Sequence, residues 1–398
     1  MHSHSLPTAA TPPPPPTSRD TGPLARLPTA SLVRSLLLHT ITSSPTLLAL
    51  GTKVMLATAD NIDRIPPLKW VVDKTFYAHF CAGSTPTEIS RTVSSLRSLG
   101  YSGLILAYAR EVSSPSSPSP TSTSADIASW LSGTLTTISL STPGDFVALK
   151  FSGAGPSILP LLSSSQPCTT IPALATALDT ICAAARARGI ALLIDAEHAA
   201  LQRGVDAWAV GMMRRYNTSP TGAAVVFNTY QMYLRRAPGV LAAHVALAER
   251  EGWRLGVKLV RGAYLGSDPR AGMWGTKAET DHAYDAALEQ LMRKGVDTVV
   301  ASHNRRSVEC ALKLRADVDA QGKGGRGLLV FAQLMGMADE LSLSLVGRAP
   351  VLKYAVWGTT GECVKYLLRR AEENKDAVGR SGENYKAVVG ELRRRVGF

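Results

Sequence analysis

The segment Tyr366-Leu367-Leu368-Arg369-Arg370-Ala371-Glu372-Glu373-Asn374 sets two guanidinium groups side by side. Each can fork onto a carboxylate, and adjacent arginines can flank a small anion from two directions. On a helix, Arg369 and Glu373 are four apart and can pair, and Tyr366 shares a face with Arg370. Taken alone, such a pair is more often an ordinary solvated basic helix face. Val364 and Leu367–Leu368 mark one side of the helix as buried, which argues that Arg370 is not simply in water. Other chemistry-bearing residues recur at the ends of short apolar runs: Lys150, Asp195, Gln231, Lys258 and Arg261, His303 and Asn304, Gln333, and Tyr354 behind Lys353.

Several familiar site signatures are missing. Gly153-Ala154-Gly155 lacks the third glycine of a dinucleotide-binding turn, and no H-E-x-x-H occurs. Asp195, Glu197 and His198 could ligate a metal in principle, but only Asp195 and Glu197 alternate onto one side of an extended segment. No metal site is expected. No G-x-S-x-G elbow marks a nucleophilic serine, although a Ser-His-Asp triad stays open.

The apolar runs themselves are Gly103–Tyr108, Phe146–Phe151, Ile190–Asp195, Ala224–Tyr230, Gly256–Arg261, Asp297–Ser302, Leu328–Gln333 and Val351–Tyr354. Each is apolar on both faces, as parallel strands covered by helices must be. Segments such as Ala173–Arg188, Ala237–Glu251 and Lys277–Lys294 carry the helical period between them. Eight strand–helix repeats predict an α/β chain closed as a (βα)8 barrel, with an open doubly wound sheet as the alternative. In a parallel barrel the active site is built at the C-terminal strand ends, which is where the polar residues gather.

Charge and composition bound the rest. The 398 residues are 45% apolar, enough for a large core, and carry a formal charge of +12. No Lys/Arg block of the nucleic-acid type accompanies that charge, so it reads as a basic solvated surface, with attraction to an anionic membrane as the sharper alternative. Five scattered cysteines form no C-x-x-C and read as reduced thiols. The first sixty residues are rich in Ser, Thr, Pro, Ala and Leu, and set Arg19, Arg26, Arg34 and Lys53 against Asp20 as their one acid before position 60. That bias resembles a mitochondrial transit segment. Leu36–Leu50 is interrupted by His39 and Pro45 and is shorter than the roughly 20 residues a spanning helix needs, so no transmembrane helix is expected. The expected organisation is a disordered, transit-like segment over 1–28, an N-terminal helical region over 29–100, and a barrel over 101–390. A disordered Ser/Pro insertion is expected within the barrel at 113–124.

Taken in order, the motifs resemble the proline dehydrogenases. They are Leu193–Glu197, Phe227–Leu234, Lys258–Tyr264, Ser302-His303-Asn304, Gln333–Met337 and Tyr366–Asn374. Phe76–Gly83 and Tyr108-Ala109-Arg110-Glu111 look like the fungal, monofunctional branch, and the resemblance runs from about residue 30 to about residue 390. No aldehyde dehydrogenase half follows, so the bifunctional type is not expected. The resemblance implies a distorted (βα)8 TIM-type barrel with an N-terminal helical extension. It implies an FAD enzyme that oxidises L-proline to Δ1-pyrroline-5-carboxylate in proline catabolism and passes electrons to a membrane quinone. It also implies a mitochondrial location on the matrix side of the inner membrane, with peripheral membrane association and no nucleic-acid partner.

Carried over by position, the resemblance implies that Arg369, Arg370 and Lys150 hold the substrate carboxylate, with Asp195 orienting the cations. Tyr264, Leu334, Tyr354 and Tyr366 would wall the ring. Gln231 and Lys258 would approach the flavin ring. Val260, Gly262, Ala263, Lys277, Ser302, His303 and Asn304 would contact the rest of FAD, and Glu373 would orient Arg369 or the flavin's sugar chain. Position 258 is Lys where some members carry Arg, position 302 is Ser where Thr is usual, and Lys365 replaces a common Pro; none removes a required group. The sister activity, hydroxyproline dehydrogenase, is the nearest alternative. There the place of Tyr354 tends to be a smaller residue, so Tyr354 predicts a preference for proline. A Schiff-base aldolase using Lys150 or Lys258 predicts a borohydride-trappable adduct and a colourless protein. A binding protein on a degenerate barrel predicts no flavin spectrum and no proline-dependent dye reduction.

Overall fold

Strands that are apolar on both faces need cover on both: in a closed barrel the helices cover the outside and the strands' own side chains fill the inside. The computed structural model describes residues 22–59, 61–110, 120–219, 222–262, 264–322, 327–376 and 382–397. Its strands are β1 (Cys81–Gly83), β2 (Gly103–Tyr108), β3 (Phe146–Leu149), β4 (Ala191–Ile194), β5 (Val226–Gln231), β6 (Gly256–Val260), β7 (Asp297–Ala301), β8 (Leu329–Leu334) and β9 (Val351–Trp357). The sheet order is β1-β9-β2-β3-β4-β5-β6-β7-β8, with β9 also paired to β8. The fold is therefore a closed parallel (βα)8 barrel, as the strand rhythm predicts. By internal contacts the chain divides into two compact units, one holding residues 120–332 and the other residues 22–110 and 333–397.

In the first unit, β3 to β8 run parallel with neighbours in register: Phe146 opposite Ala191, Leu192 opposite Val226, Asn228 opposite Val257, Gly256 opposite Asp297 and Thr298 opposite Leu329. β5 is buried along its whole length, which suits a strand read as apolar on both sides. The helix Lys277–Lys294 starts at a capping box: Thr276 Oγ1 accepts from the Glu279 N–H at 3.2 Å, and the Glu279 carboxylate accepts from the Thr276 N–H at 2.7 Å. At the N-terminal strand ends, buried Asp297 accepts from the Ala224 and Leu328 N–H groups, each at 2.7 Å, and from Arg254 at 2.8 Å. That carboxylate ties three connections together at the face of the barrel that carries stability rather than chemistry.

In the second unit, β2 pairs with β9 from Gly103–Leu352 to Tyr108–Trp357. The N-terminal helices Thr29–Ser43, Pro45–Thr58 and Pro66–Val72 bury Leu32, Leu38, Leu48 and Val72. The C-terminal helices are Thr360–Asp376 and Gly382–Arg395. The second of these is tied to the start of the described chain: Arg395 is held by Glu391 at 2.8 Å and donates to the Leu27 carbonyl and the Thr29 hydroxyl, each at 2.8 Å.

Three expected boundaries move. Of the expected segment 1–28, residues 1–21 lie outside the described residues; in 22–28, Leu24 is buried in the 3-10 turn Pro23–Arg26 and Arg395 takes up carbonyls that the short turn leaves open. Residues 113–119 of the Ser/Pro insertion lie outside the described residues, but 120–124 open the helix Pro120–Leu140, and Thr123 bonds Ser157 there. The expected break near residue 100 does not separate compact units, since β2 belongs with the N-terminal helices. All five cysteines are free thiols; Cys81, Cys182 and Cys363 are buried. Among the described residues no helix is long and apolar enough to cross a membrane.

Candidate active site

Parallel strands point their C-terminal ends the same way, so residues that are scattered in sequence gather there. In the first unit, Lys150 follows β3 and donates to the Tyr264 hydroxyl at 3.1 Å, with its ammonium 5.8 Å from that ring's centre. Tyr264 is buried, and its ring lies 4.2 Å from that of His198. Asp195, just past β4, accepts from Lys258 of β6 at 2.6 Å, and both side chains are about one-tenth exposed. Two residues read separately from the sequence, one for the clamp and one for the flavin, are thus an ion pair.

Gln231 ends β5. Its Nε2 donates to the Glu197 carbonyl at 2.9 Å, while its Oε1 is buried with no donor among the described residues. The Glu197 carboxylate is itself pinned by the Ser152 N–H at 3.1 Å, and the Glu197 N–H by Gln202 at 2.9 Å. The Gln231 amide is therefore held in one orientation with an acceptor left over, which is what a ligand N–H would satisfy. Val260 ends β6, and its carbonyl accepts from the Met232 N–H at 2.8 Å. Gly262 follows at φ +131°, and a Cβ there would stand 1.8 Å from the Tyr233 ring. Tyr233 cannot yield easily, because its hydroxyl donates to Asp268, which also accepts from the Ala199 N–H at 2.9 Å.

Arg261 is the hub of the next two strand ends. It donates to Asp281 at 2.7 Å and to the Ser302 hydroxyl at 2.7 Å, bonds Ser307, and stacks over Tyr284 at 4.1 Å. Lys277 pairs with the same Asp281. Asn304 caps the helix Arg305–Ala320, accepting from the Ser307 N–H at 3.4 Å, and its own N–H donates to Ser302 at 3.1 Å. His303 between them is exposed. Residues 302–304 and Lys277 are thus linked through one guanidinium that the sequence places at a strand end but gives no role. Asp268 is missed outright, since a lone aspartate in a loop carries no signal until Tyr233 and Ala199 fold onto it.

In the second unit, Arg370 is 4% exposed and its guanidinium lies 5.0 Å from the centre of the Tyr366 ring, one helical turn earlier. Burial of a guanidinium against an aromatic face differs from a solvated basic face, the alternative open to the sequence. Arg369 is half-buried. Leu334 ends β8, and the next residue, Met335, donates its N–H to the Tyr354 carbonyl of β9 at 2.8 Å. Leu334 and Tyr354 therefore come from hydrogen-bonded segments. Ala263 and the side chain of Glu373 lie outside the described residues.

A family model described as proline dehydrogenase matches residues 89–383. The chain belongs to the proline dehydrogenase family. A Schizosaccharomyces pombe protein named a probable mitochondrial proline dehydrogenase is 30% identical across 81% of this chain and 80% of its own length. A Bos taurus protein named hydroxyproline dehydrogenase is 36% identical, over 53% of this chain and 49% of that one. Among solved structures, proline utilization A from Bdellovibrio bacteriovorus superposes with a TM-score of 0.64 at 16% identity, over 79% of this chain and 35% of that one. That likeness supports the barrel. Membership of the family makes the protein an oxidoreductase and sets aside the aldolase and binding-protein alternatives.

Proposed function

We propose that the chain oxidises L-proline to Δ1-pyrroline-5-carboxylate with FAD as its cofactor, in the mitochondrion, and that a membrane quinone takes the electrons onward. Peripheral association with the matrix side of the inner membrane belongs to the same reading. The observation that carries it is the two pairs at the C-terminal ends of β3, β4 and β6, where Lys150 meets Tyr264 and Asp195 meets Lys258 in a chain of this family.

FAD, when bound, accepts the hydride that leaves the ring carbon beside the substrate nitrogen. The protein's part is to hold, orient and exclude water. Arg369, Arg370 and Lys150 would bind the carboxylate by charge-assisted bonds. Tyr264, Leu334, Tyr354 and Tyr366 would hold the ring. Lys258, oriented by Asp195, would place positive charge beside the reduced flavin. Gln231, Val260, Gly262, Ala263, Lys277, Ser302, His303, Asn304 and Glu373 would hold the remaining parts of FAD. The buried acceptor on Gln231, unfilled among the described residues, and the strand-end side chains that Arg261 ties together fit such a group. Tyr354 favours proline over its hydroxylated analogue.

The test is the visible spectrum of the purified protein. A flavin spectrum that bleaches when proline is added without air is expected. A colourless protein, or a flavin left oxidised by proline, ends this reading.

A further inference from the structure

A lysine buried to 1% exposure must find partners for its three donors, and Lys353 finds three oxygens. It donates to Asp339 at 2.7 Å, to the Met337 carbonyl at 2.9 Å and to the Leu334 carbonyl at 3.4 Å. These oxygens span the connection that leaves β8, from its last residue, Leu334, through Met337 to Asp339, the first residue of the next helix. The loop is conformationally unusual: Gly336 has φ +73° and Ala338, a residue with a side chain, has φ +49°. Such backbone persists only where surrounding groups hold it. A second buried donor helps, the His79 Nε2 on the Gly336 carbonyl at 2.8 Å, and a Cβ on Gly336 would stand 2.5 Å from the His79 carbonyl.

The loop begins at Leu334 and is hydrogen-bonded to Tyr354 through Met335. Lys353 precedes Tyr354 on β9, and successive side chains on a strand point to opposite faces. The ammonium therefore grips the loop from the face opposite the one Tyr354 presents.

We propose that Lys353 is a positioning residue for substrate-ring selectivity: by binding three oxygens of the 334–339 loop it fixes the spacing between Leu334 and Tyr354. The assignment rests on the function proposed above, in which those two residues wall the ring. Sequence logic treats a lysine on a barrel strand as a candidate for chemistry. Here all three donors are committed to the loop, so the side chain acts through Leu334 and Tyr354 and does not itself meet the substrate.

The experiment uses the full-length, flavin-loaded protein carrying Lys353→Met, which keeps the stem and removes the donors. Flavin content, kcat and KM are measured with L-proline and with trans-4-hydroxy-L-proline. Expected are retained flavin and a proline-to-hydroxyproline ratio of kcat/KM lowered by about tenfold, mainly through the proline KM. Asp339→Asn, which keeps an oxygen acceptor but loses its charge, is the second variant, for the case in which Lys353→Met does not fold. A drop in its ratio of about threefold is expected. A folded variant whose ratio stays within about twofold of the parent, or whose loss is the same for both substrates, overturns the assignment. A parent protein that leaves its flavin oxidised in proline overturns the functional reading itself, which separates the two failures.

Discussion

The Asp195–Lys258 pair offers the sharpest check on how this site is built, because stability and activity should separate there. Both side chains are about one-tenth exposed and meet at 2.6 Å. Removing one partner leaves the other charge buried, so Asp195→Leu or Lys258→Met alone should each cost about 3–5 kcal/mol. Replacing both with apolar groups removes both buried charges, and such exchanges are often neutral or stabilising. The double variant should thus be more stable than either single one, with a coupling of at least about 2 kcal/mol in the cycle. Urea unfolding of the four proteins, followed by tryptophan fluorescence, measures this. Proline turnover should stay low in all three variants, since each lacks the oriented cation. Singles that cost under about 1 kcal/mol, or costs that simply add, would refute the claim that the pair is desolvated and mutually dependent.

Three other outcomes follow from the same geometry. Arg370→Met should raise the proline KM by about 10- to 150-fold, the equivalent of one charge-assisted bond of about 1.5–3 kcal/mol, with flavin retained; steady-state kinetics reads it, and an unchanged KM sinks the clamp. Gly262→Ala places a Cβ 1.8 Å from Tyr233 at φ +131°, so the flavin-to-protein ratio should fall sharply even where the chain stays folded. Burial holds the His79 imidazole neutral, its pKa pushed down from 6.5 to about 4. Its contribution is fully present above pH 6.5 and is lost as the unfolded chain takes up a proton between pH 6.5 and about 4. Urea midpoints measured across that window should decline, and His79→Gln should flatten the decline.

Much of the fold is legible because the barrel repeats one pattern. Gly103–Tyr108 is a strand over the same residues that its apolar run spans, and Ala237–Glu251 and Lys277–Lys294 are helices over the expected residues. Local signals set these limits: a glycine in the left-handed region ends each of those two helices, and a capping box starts the second. Where the signal is tertiary, the reading fails. β1 is three residues long, too short for any period, and exists because Cys81 pairs with Val356 on β9. Phe151 continues an apolar run but turns into a 3-10 helix, since the chain must leave the barrel there. β9 runs on to Trp357, past the Tyr354 limit, because β2 offers it partners as far as Tyr108.

The candidate site shows the same division more sharply. Lys258, Lys353 and Arg370 all read from sequence as cations near strand ends or on a late helix, and all three are buried. Burial obliges each to find compensation, and the kind of partner differs. Lys258 has a carboxylate from the β4 end, Arg370 has an aromatic face one turn away, and Lys353 has two carbonyls besides Asp339. A carboxylate and an aromatic ring leave marks in a sequence, so the first two pairings can be suspected from spacing and resemblance. A carbonyl belongs to every residue and leaves none. The residues whose roles were hardest to read are therefore those that shape the site through the backbone, and they are revealed by which buried donor meets which carbonyl.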